Sequence, residues 1–393
     1  MVIIAGGGIG GLTTAIALSK AGIDFAVYER APELREAGAG IALAANALNA
    51  LDLLGIGDAI RCGAIAGVQG GIKDPKGKAL MAMPADEFTK RIGAVAVIHR
   101  AELLTTLLQR VDPGRLHLGR ECTGFEQDAE SVTARFRNGE TVRGTALIGS
   151  DGLRSVIRTQ LFGNRQPRYS GYTAWRAVVE FDHGLNPEMT ETWGRGRRFG
   201  IVPMSRGCAY WFATNNEAEG QRDPEGRTRE VLLQHFRGWH EPIEALIAAA
   251  PEGSILRNDI YDTDPLKQWG SGRIVLLGDA AHPMTPNLGQ GGCQAIEDAV
   301  VLAACLKKNS DVAAALREYQ SRRMPRTREI VLRSRSFGAI AQLENPVLRG
   351  IRNVLLRTAP KGLAAKQMKS LVGFEILTTA EKLLFDPIRH NRN

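Results

Sequence analysis

The chain has 393 residues, of which 44% are hydrophobic and 23% charged, a balance that excludes disorder, a collagen-like repeat or one long coiled coil. At ~150 residues per domain the length predicts two or three structural units, and no apolar run approaches the ~20 residues of a membrane-spanning helix. The net charge of +8 and a pI near 9.4 invite an anionic partner, whether nucleic acid, a membrane surface or an acidic ligand.

Val2-Ile3-Ile4-Ala5 is a short apolar run that predicts a buried parallel strand. Gly6, Gly8 and Gly11 follow in G-x-G-x-x-G spacing, then a helical pattern to Gly22 and a second strand, Phe25–Tyr28, closed by Glu29 and Arg30. This is the order of a βαβ dinucleotide fingerprint. Gly6 permits the tight turn, Gly8 lets the backbone approach a pyrophosphate, and Gly11 lets the helix pack on the strand. The helix N-terminus offers N–H groups to the phosphates, and Glu29 accepts hydrogen bonds from a ribose.

Beyond a turn-rich stretch containing Arg35, residues 41–54 predict a helix, and 65–98 predict strands with polar turns. Arg100 opens a strong helix to Val111 with a leucine stripe. Leu116–Leu147 reads as a β-meander whose clearest turn is Asn138-Gly139. From about Tyr169 to Trp269 tryptophan is enriched and apolar residues alternate, which predicts an antiparallel sheet. Two short helices broken at Pro242 follow, then a buried strand at 273–277 and a long helix at 290–306. The five cysteines are widely spaced with no CxxC, so reduced thiols and no metal site are expected. A motif starting at Gly6 leaves no room for a leader before it, so a cytoplasmic location is expected.

Two further motifs carry chemistry. One is Asp151-Gly152-Leu153-Arg154-Ser155-Val156-Ile157-Arg158. The other is Gly278-Asp279-Ala280-Ala281-His282-Pro283, continuing through Pro286-Asn287-Leu288-Gly289-Gln290-Gly291-Gly292. Together with the N-terminal fingerprint they resemble, in order and spacing, the signatures of the class A FAD-dependent aromatic monooxygenases. Gly38-Ala39-Gly40-Ile41, Asn46, Gly171-Tyr172, Pro203 and Glu297-Asp298 bring the likeness closest to the salicylate hydroxylase, urate hydroxylase and zeaxanthin epoxidase type.

The resemblance implies an α/β fold: a Rossmann-like FAD-binding domain, an inserted antiparallel-sheet substrate domain and a C-terminal helical segment. On that pattern residues 1–70, 98–165 and 270–325 bind FAD, 71–97 and 166–269 form the substrate domain, and 326–393 are C-terminal basic helices. Asp279 would bond the ribityl chain, and Gly289, Gly291 and Gly292 would bring a helix N-terminus to the flavin edge, where charge develops on reduction. Pro286 would lie beside the ring on the substrate side. Arg30, Arg100 and, more weakly, Arg35 would contact the cofactor. Asp151 would serve FAD and NAD(P)H, supported by an ion pair from Arg158. His282 is read as structural, and Ser155 as a helix cap.

The implied reaction is NAD(P)H-dependent insertion of one oxygen atom from O2, through a flavin hydroperoxide, into an aromatic or hydrophobic small molecule. No second G-x-G-x-x-G is present for a resident nicotinamide domain. Arg198 would grip an anionic substrate, and Tyr210 and Trp211 would face the flavin. The competing readings are a flavin oxidoreductase acting on an isoprenoid or lipid without oxygen insertion, and an FAD-binding sensor. A monomer or homodimer is expected.

The charge is uneven. Residues 317–369 hold 13 Lys+Arg against 3 Asp+Glu, a net of +10, which leaves the remainder at −2. No nucleic-acid motif accompanies this charge. Val347, Leu348, Ile351, Val354 and Leu355 share one helical face, with arginines away from it. That is the pattern of a peripheral membrane contact through 340–370, although packing of the apolar face on the body with solvated arginines is the stronger expectation.

Overall fold

The computed structural model describes residues 1–34, 39–62, 69–83, 95–181, 188–359, 372 and 377–385. Arg35, Gly38 and the parts of the 65–98 strand prediction at 65–68 and 84–94 lie outside these residues.

Two sheets organise the molecule. The first has the order β17-β18-β11-β1-β2-β7. Its strands β1 (Val2–Ala5), β2 (Phe25–Tyr28), β7 (Leu116–His117), β11 (Ala146–Gly149) and β18 (Ile274–Leu276) run parallel, and β17 (Gly270–Ser271) adds an antiparallel edge. β1, β2 and β11 are buried along their whole length, which explains why they read as continuous apolar runs and not as alternating ones. Helix α1 (Ile9–Lys20) crosses from β1 to β2. The turn before it brings Gly11 so close to the Gly6 carbonyl that a Cβ there would clash with backbone.

Residues 41–54 depart from the prediction. Gly40–Leu43 is a strand, β3, paired antiparallel with β6 (Ala96–His99), and the helix α2 starts only at Ala45 and ends at Leu53. The apolar spacing that reads as one helix belongs to a strand and a helix joined at Ala44. After α3 (Gly57–Cys62), strands β4 (Gln69–Lys73) and β5 (Ala79–Met83) leave for the second sheet. Helix α4 (Arg100–Leu108) follows β6 directly. The meander resolves into β8 (Cys122–Gln127), β9 (Val132–Phe136) and β10 (Thr141–Gly144), with the Asn138-Gly139 turn joining the last two.

Helix α5 (Val156–Phe162) leads into the second sheet, seven-stranded with the order β16-β12-β15-β14-β13-β4-β5. Its long strands are β12 (Arg168–Glu180), β13 (Glu188–Trp193), β14 (Arg197–Met204), β15 (Cys208–Asn216) and β16 (Leu256–Asp262). All neighbours are antiparallel except β13 and β4. One face of this sheet packs Trp175, Phe199 and Trp211 against α6 (Thr228–His235) and α7 (Ile243–Ala249). Trp211 is therefore core on the face turned away from the first sheet, and does not face the flavin side. Tyr210, one residue earlier, points the other way by strand alternation and packs on Gly40, where a Cβ would fall 2.5 Å from its ring.

Three helices complete the fold: α8 (Gly291–Lys308), α9 (Val312–Ala341) and α10 (Pro346–Thr358). A short helix, α11 (Thr379–Lys382), lies near the end of the chain. The basic segment is not a uniform solvated appendage. Arg323 and Arg326 of α9 are buried against Glu297 and Asp298 of α8, and Arg335 pairs with Asp262 and Asp264. Much of the C-terminal positive charge is neutralised by acids of the body.

Candidate active site

The cleft between the sheets is lined by backbone on one side and side chains on the other. On the backbone side, β1 ends at Gly6, whose φ of +110° only glycine adopts readily. Above Gly8 there is open space: a Cβ would meet nothing within 4 Å. Neither α1 nor α8 has a side-chain hydrogen bond at its N-cap. Both helix N-termini therefore keep backbone N–H groups and a positive dipole end available to an anion or an electron-rich ring edge.

Glu29 at the end of β2 is oriented by its own turn. Its two carboxylate oxygens accept from Gly7 N at 2.6 Å and Ala31 N at 2.8 Å, which leaves further lone pairs facing outward. Arg30 is exposed, and its field acts on Glu121, lowering that carboxyl below its ordinary value after the larger effect of Arg137. Arg100 opens α4, its backbone N–H donating to Ala39 O at 2.9 Å, and its positive field reaches both Asp279 and Tyr210.

Asp151, half-buried, and Asp279, exposed, stand on the loops that follow β11 and β18. Asp151 Oδ2 accepts from Val156 N at 2.8 Å and Ile157 N at 3.3 Å, capping α5. Its Oδ1 is buried with no hydrogen-bond partner. Burial raises the Asp151 pKa against these bonds. Asp279 has an exposed side chain, and the protein atoms around it take enough of its hydration to raise its pKa despite His282, Arg100 and Arg158. Two carboxyls held at a cost, one with an orphaned oxygen, fit a ligand rich in hydroxyl donors.

Arg158 does not make the expected ion pair with Asp151. Its guanidinium donates to the carbonyls of Ala280 at 2.9 Å, Asp279 at 3.4 Å and Leu153. A buried arginine with five donors satisfies backbone carbonyls from two loops at once, so it clamps the second motif to the third. Ser155 caps α5 through Arg158 N at 2.9 Å.

The third motif makes a 3-10 turn at Pro286–Leu288, ended by Gly289 with φ +62° and open space where a Cβ would stand. Gly291 and Gly292 then begin α8. Pro286 is exposed on this turn. Asn287 beneath it holds the turn to the rest of the molecule: its Nδ2 donates to Thr285 Oγ1 and Ser334 O, and its Oδ1 accepts from Arg198 Nη2 at 2.7 Å and Tyr172 OH at 3.1 Å.

Arg198 departs from both of its sequence readings. It is neither a solvated loop arginine nor free to grip an anion. It lies on β14, 1% exposed, donating also to Gln342 at 2.8 Å and Glu191 at 3.0 Å, with its guanidinium 5.5 Å from the Tyr172 ring centroid. Gln342 and Glu191 are site residues that local spacing did not reveal, and Asn287, although inside the third motif, had no role assigned from the sequence. Tyr210 packs on Gly40 and against Val97, Val202 and Met204, and burial raises its phenol pKa against the field of Arg176 and Arg100. His282 Nε2–H donates to the Asp298 carboxylate at 2.6 Å, and its Nδ1 is buried without a hydrogen-bond partner. Burial opposes ionisation of Asp298, but His282 and Arg323 overcome it and hold the carboxyl down at about 2.

The arrangement matches known proteins along nearly its whole length. Residues 1–334 match the family model described as an FAD binding domain. The chain is 47% identical over 362 residues to an aurachin C monooxygenase/isomerase from Stigmatella aurantiaca, covering 91% of this chain and 93% of that protein. This chain is a class A FAD-dependent monooxygenase. It is also 36% identical to an FAD-dependent urate hydroxylase from Klebsiella pneumoniae, over 85% of this chain and 88% of that one. The crystal structure of Klebsiella pneumoniae HpxO complexed with FAD and uric acid superposes with a TM-score of 0.89 at 33% identity, covering 95% of this chain and 96% of that one. The open space above Gly8 and Gly289, the two uncapped helix N-termini and the orphaned Asp151 oxygen fit FAD as the family cofactor.

Proposed function

We propose that this monooxygenase inserts one oxygen atom of O2 into an aromatic or polycyclic small molecule at the expense of NAD(P)H. Its substrate would lie between Pro286 and the sheet face carrying Tyr210. The observation that supports this most is the convergence on one cleft of the glycine turn, Asp279, the open N-terminus of α8 and an aromatic sheet face. The similarity to proteins named for urate and aurachin C chemistry supports a ring-containing substrate.

In this reading Gly6, Gly8 and Gly11 let the backbone approach the FAD pyrophosphate, and the α1 N-terminus stabilises its charge. Glu29 accepts from the adenosine ribose, and Asp279 from the ribityl chain. Asp151 stands beside that chain with its unpaired oxygen. Arg100 offsets negative charge near Asp279. Gly289, Gly291 and Gly292 open the α8 N-terminus toward the ring edge, where its dipole stabilises developing negative charge. FAD, once bound and reduced, supplies the activation of O2.

The protein's remaining work is positional. Arg198 and Tyr172 hold Asn287, and through it the Pro286 turn, at a fixed distance from the sheet. Tyr210, kept protonated at neutral pH by burial, donates a hydrogen bond to a substrate oxygen and does not act as base. The phenolic and aromatic walls exclude water from the reacting centre. Purified FAD-loaded enzyme is expected to oxidise NAD(P)H faster with a cognate aromatic compound and to yield a product 16 mass units heavier. Faster NAD(P)H oxidation with only hydrogen peroxide as product, for every compound that stimulates it, would contradict the proposal.

A further inference from the structure

Helix α10 reverses the stronger sequence expectation: its polar side packs on the body and its apolar side faces out. The helix is well specified. Asn345 caps it, accepting from Val347 N at 2.9 Å and Leu348 N at 3.2 Å, and Pro346 occupies the first turn. The side turned inward carries Arg352, 5% exposed, which donates to the carbonyls of Ile340 at 3.2 Å and Ala341 at 3.1 Å. Its guanidinium lies 5.1 Å from the Trp193 ring centroid, and Leu356 joins the cluster of Trp193, Ala341, Ile72 and Leu80 at the β5 edge of the second sheet. These contacts fix the helix rotation.

The opposite side is left to solvent. Val347 is 67% exposed, Leu348 49%, Ile351 52%, Val354 57% and Leu355 62%. At helical spacing these five form one stripe, a contiguous apolar face of a kind that soluble monomers rarely leave uncovered. Charge says what covers it. Residues 345–374 contain Arg349, Arg352, Arg357, Lys361, Lys366 and Lys369 and no Asp or Glu; Arg352 is turned to the body and Arg357 pairs with Asp74 at 3.2 Å, so the pull on an anionic surface is that of the segment's net charge. Area points the same way. Five half-exposed aliphatic side chains present on the order of 500 Å2, short of the ~800 Å2 each partner of a stable protein complex buries. Among the described residues no helix is long and apolar enough to cross a membrane.

We infer that α10 is an interfacial helix that docks this enzyme onto an anionic lipid bilayer. Val347, Leu348, Ile351, Val354 and Leu355 would enter the acyl boundary, and the net positive charge of the segment would draw it to anionic headgroups.

The test is co-sedimentation of the FAD-loaded full chain with vesicles of phosphatidylcholine and phosphatidylglycerol at 3:1, against pure phosphatidylcholine. Sedimentation velocity without lipid would run in parallel. The wild type is expected to pellet with the anionic vesicles at low salt, and to do so at least tenfold less with the neutral ones. The double variant Ile351→Glu/Leu355→Glu is expected to stay in the supernatant with unchanged FAD content and melting temperature, because both side chains are already in water. Should that variant fold poorly, Val354→Ser is expected to weaken binding several-fold. Wild type that stays in solution with both vesicle types overturns the inference, as does a folded double variant that still pellets. A wild-type dimer that Ile351→Glu/Leu355→Glu converts to monomer would also overturn it, assigning the face to a second copy.

Discussion

The two walls of the cleft are built on different principles. The wall proposed for the cofactor presents backbone: glycine turns, helix N-termini and carbonyls clamped by Arg158. The wall proposed for the substrate is a lattice of side chains, in which Arg198 ties Glu191, Asn287 and Gln342 together and Tyr172 stacks beneath it. A backbone wall binds by geometry that nearly any neighbouring side chains can support. A side-chain wall works only if each partner is present. Substitutions on the two sides should therefore fail in different ways: loss of cofactor with the fold intact on one, loss of turnover with cofactor retained on the other.

The largest effect is expected at Gly8. A Cβ there meets no protein atom within 4 Å, so Gly8→Val should fold and melt like wild type. Its side chain would occupy the space proposed for the pyrophosphate, and FAD affinity should fall 100-fold or more, read by flavin content after desalting. Gly11→Val is the contrast: it clashes with the Gly6 backbone and should lose stability as well as flavin. Equal melting losses in both would break the comparison.

Asp279→Asn comes next. Burial raises the Asp279 pKa. A raised folded-state pKa means the stability gained from the protonated form is present below the unfolded value, near 3.9, and lost as pH rises through the folded one. At neutral pH the charged carboxylate is therefore a burden on the cofactor-free fold. Apo Asp279→Asn should melt at or above the wild-type temperature at pH 7. It should bind FAD about 10-fold to 100-fold more weakly, the range for losing charged hydrogen bonds of ~1.5–3 kcal/mol. A lower apo melting temperature at pH 7 would contradict this sign.

On the other wall, Arg198→Met should keep its flavin and lower kcat about tenfold or more by releasing Asn287 and the Pro286 turn, since small misplacements of this kind cost that much. Glu191 is left without its partner, so some stability is lost too. A stopped-flow comparison of flavin reduction and product yield checks this, and loss of FAD on purification would break the division between the walls. The smallest effect is the acid limb. Asp298 is held down at about 2 by His282 and Arg323 against burial. Its contribution is thus complete above pH 4 and lost as pH falls toward 2. Thermal melts across that window should show Asp298→Asn losing less stability per pH unit than wild type.

The same division explains what could be read from the chain. The geometry of the backbone wall was legible because backbone requirements leave local marks: Gly6, Gly8 and Gly11 in fixed spacing, Asp279 at a strand end, glycines at the start of α8. The strand-turn-helix frame was legible for the same reason. The Arg198 lattice was not, because its partners lie 7, 89 and 144 residues away in sequence. Nothing in Arg195-Gly196-Arg197-Arg198 distinguishes a buried arginine from a solvated one. The strand at Gly40–Leu43 was hidden because its pairing partner, β6, is more than fifty residues on. The direction α10 faces was missed for a related reason: its amphipathic pattern is plain, but which side meets the body depends on Trp193 and the carbonyls at 340–341.

The most direct measurement is a single turnover under 18O2. FAD-loaded enzyme is reduced with one equivalent of NAD(P)H in the presence of a compound that stimulates its oxidation, then mixed with labelled oxygen. A product carrying one 18O atom, in yield approaching the flavin concentration, is the predicted result. Full reoxidation of the flavin with the compound unchanged, or with oxygen drawn from water, would contradict it.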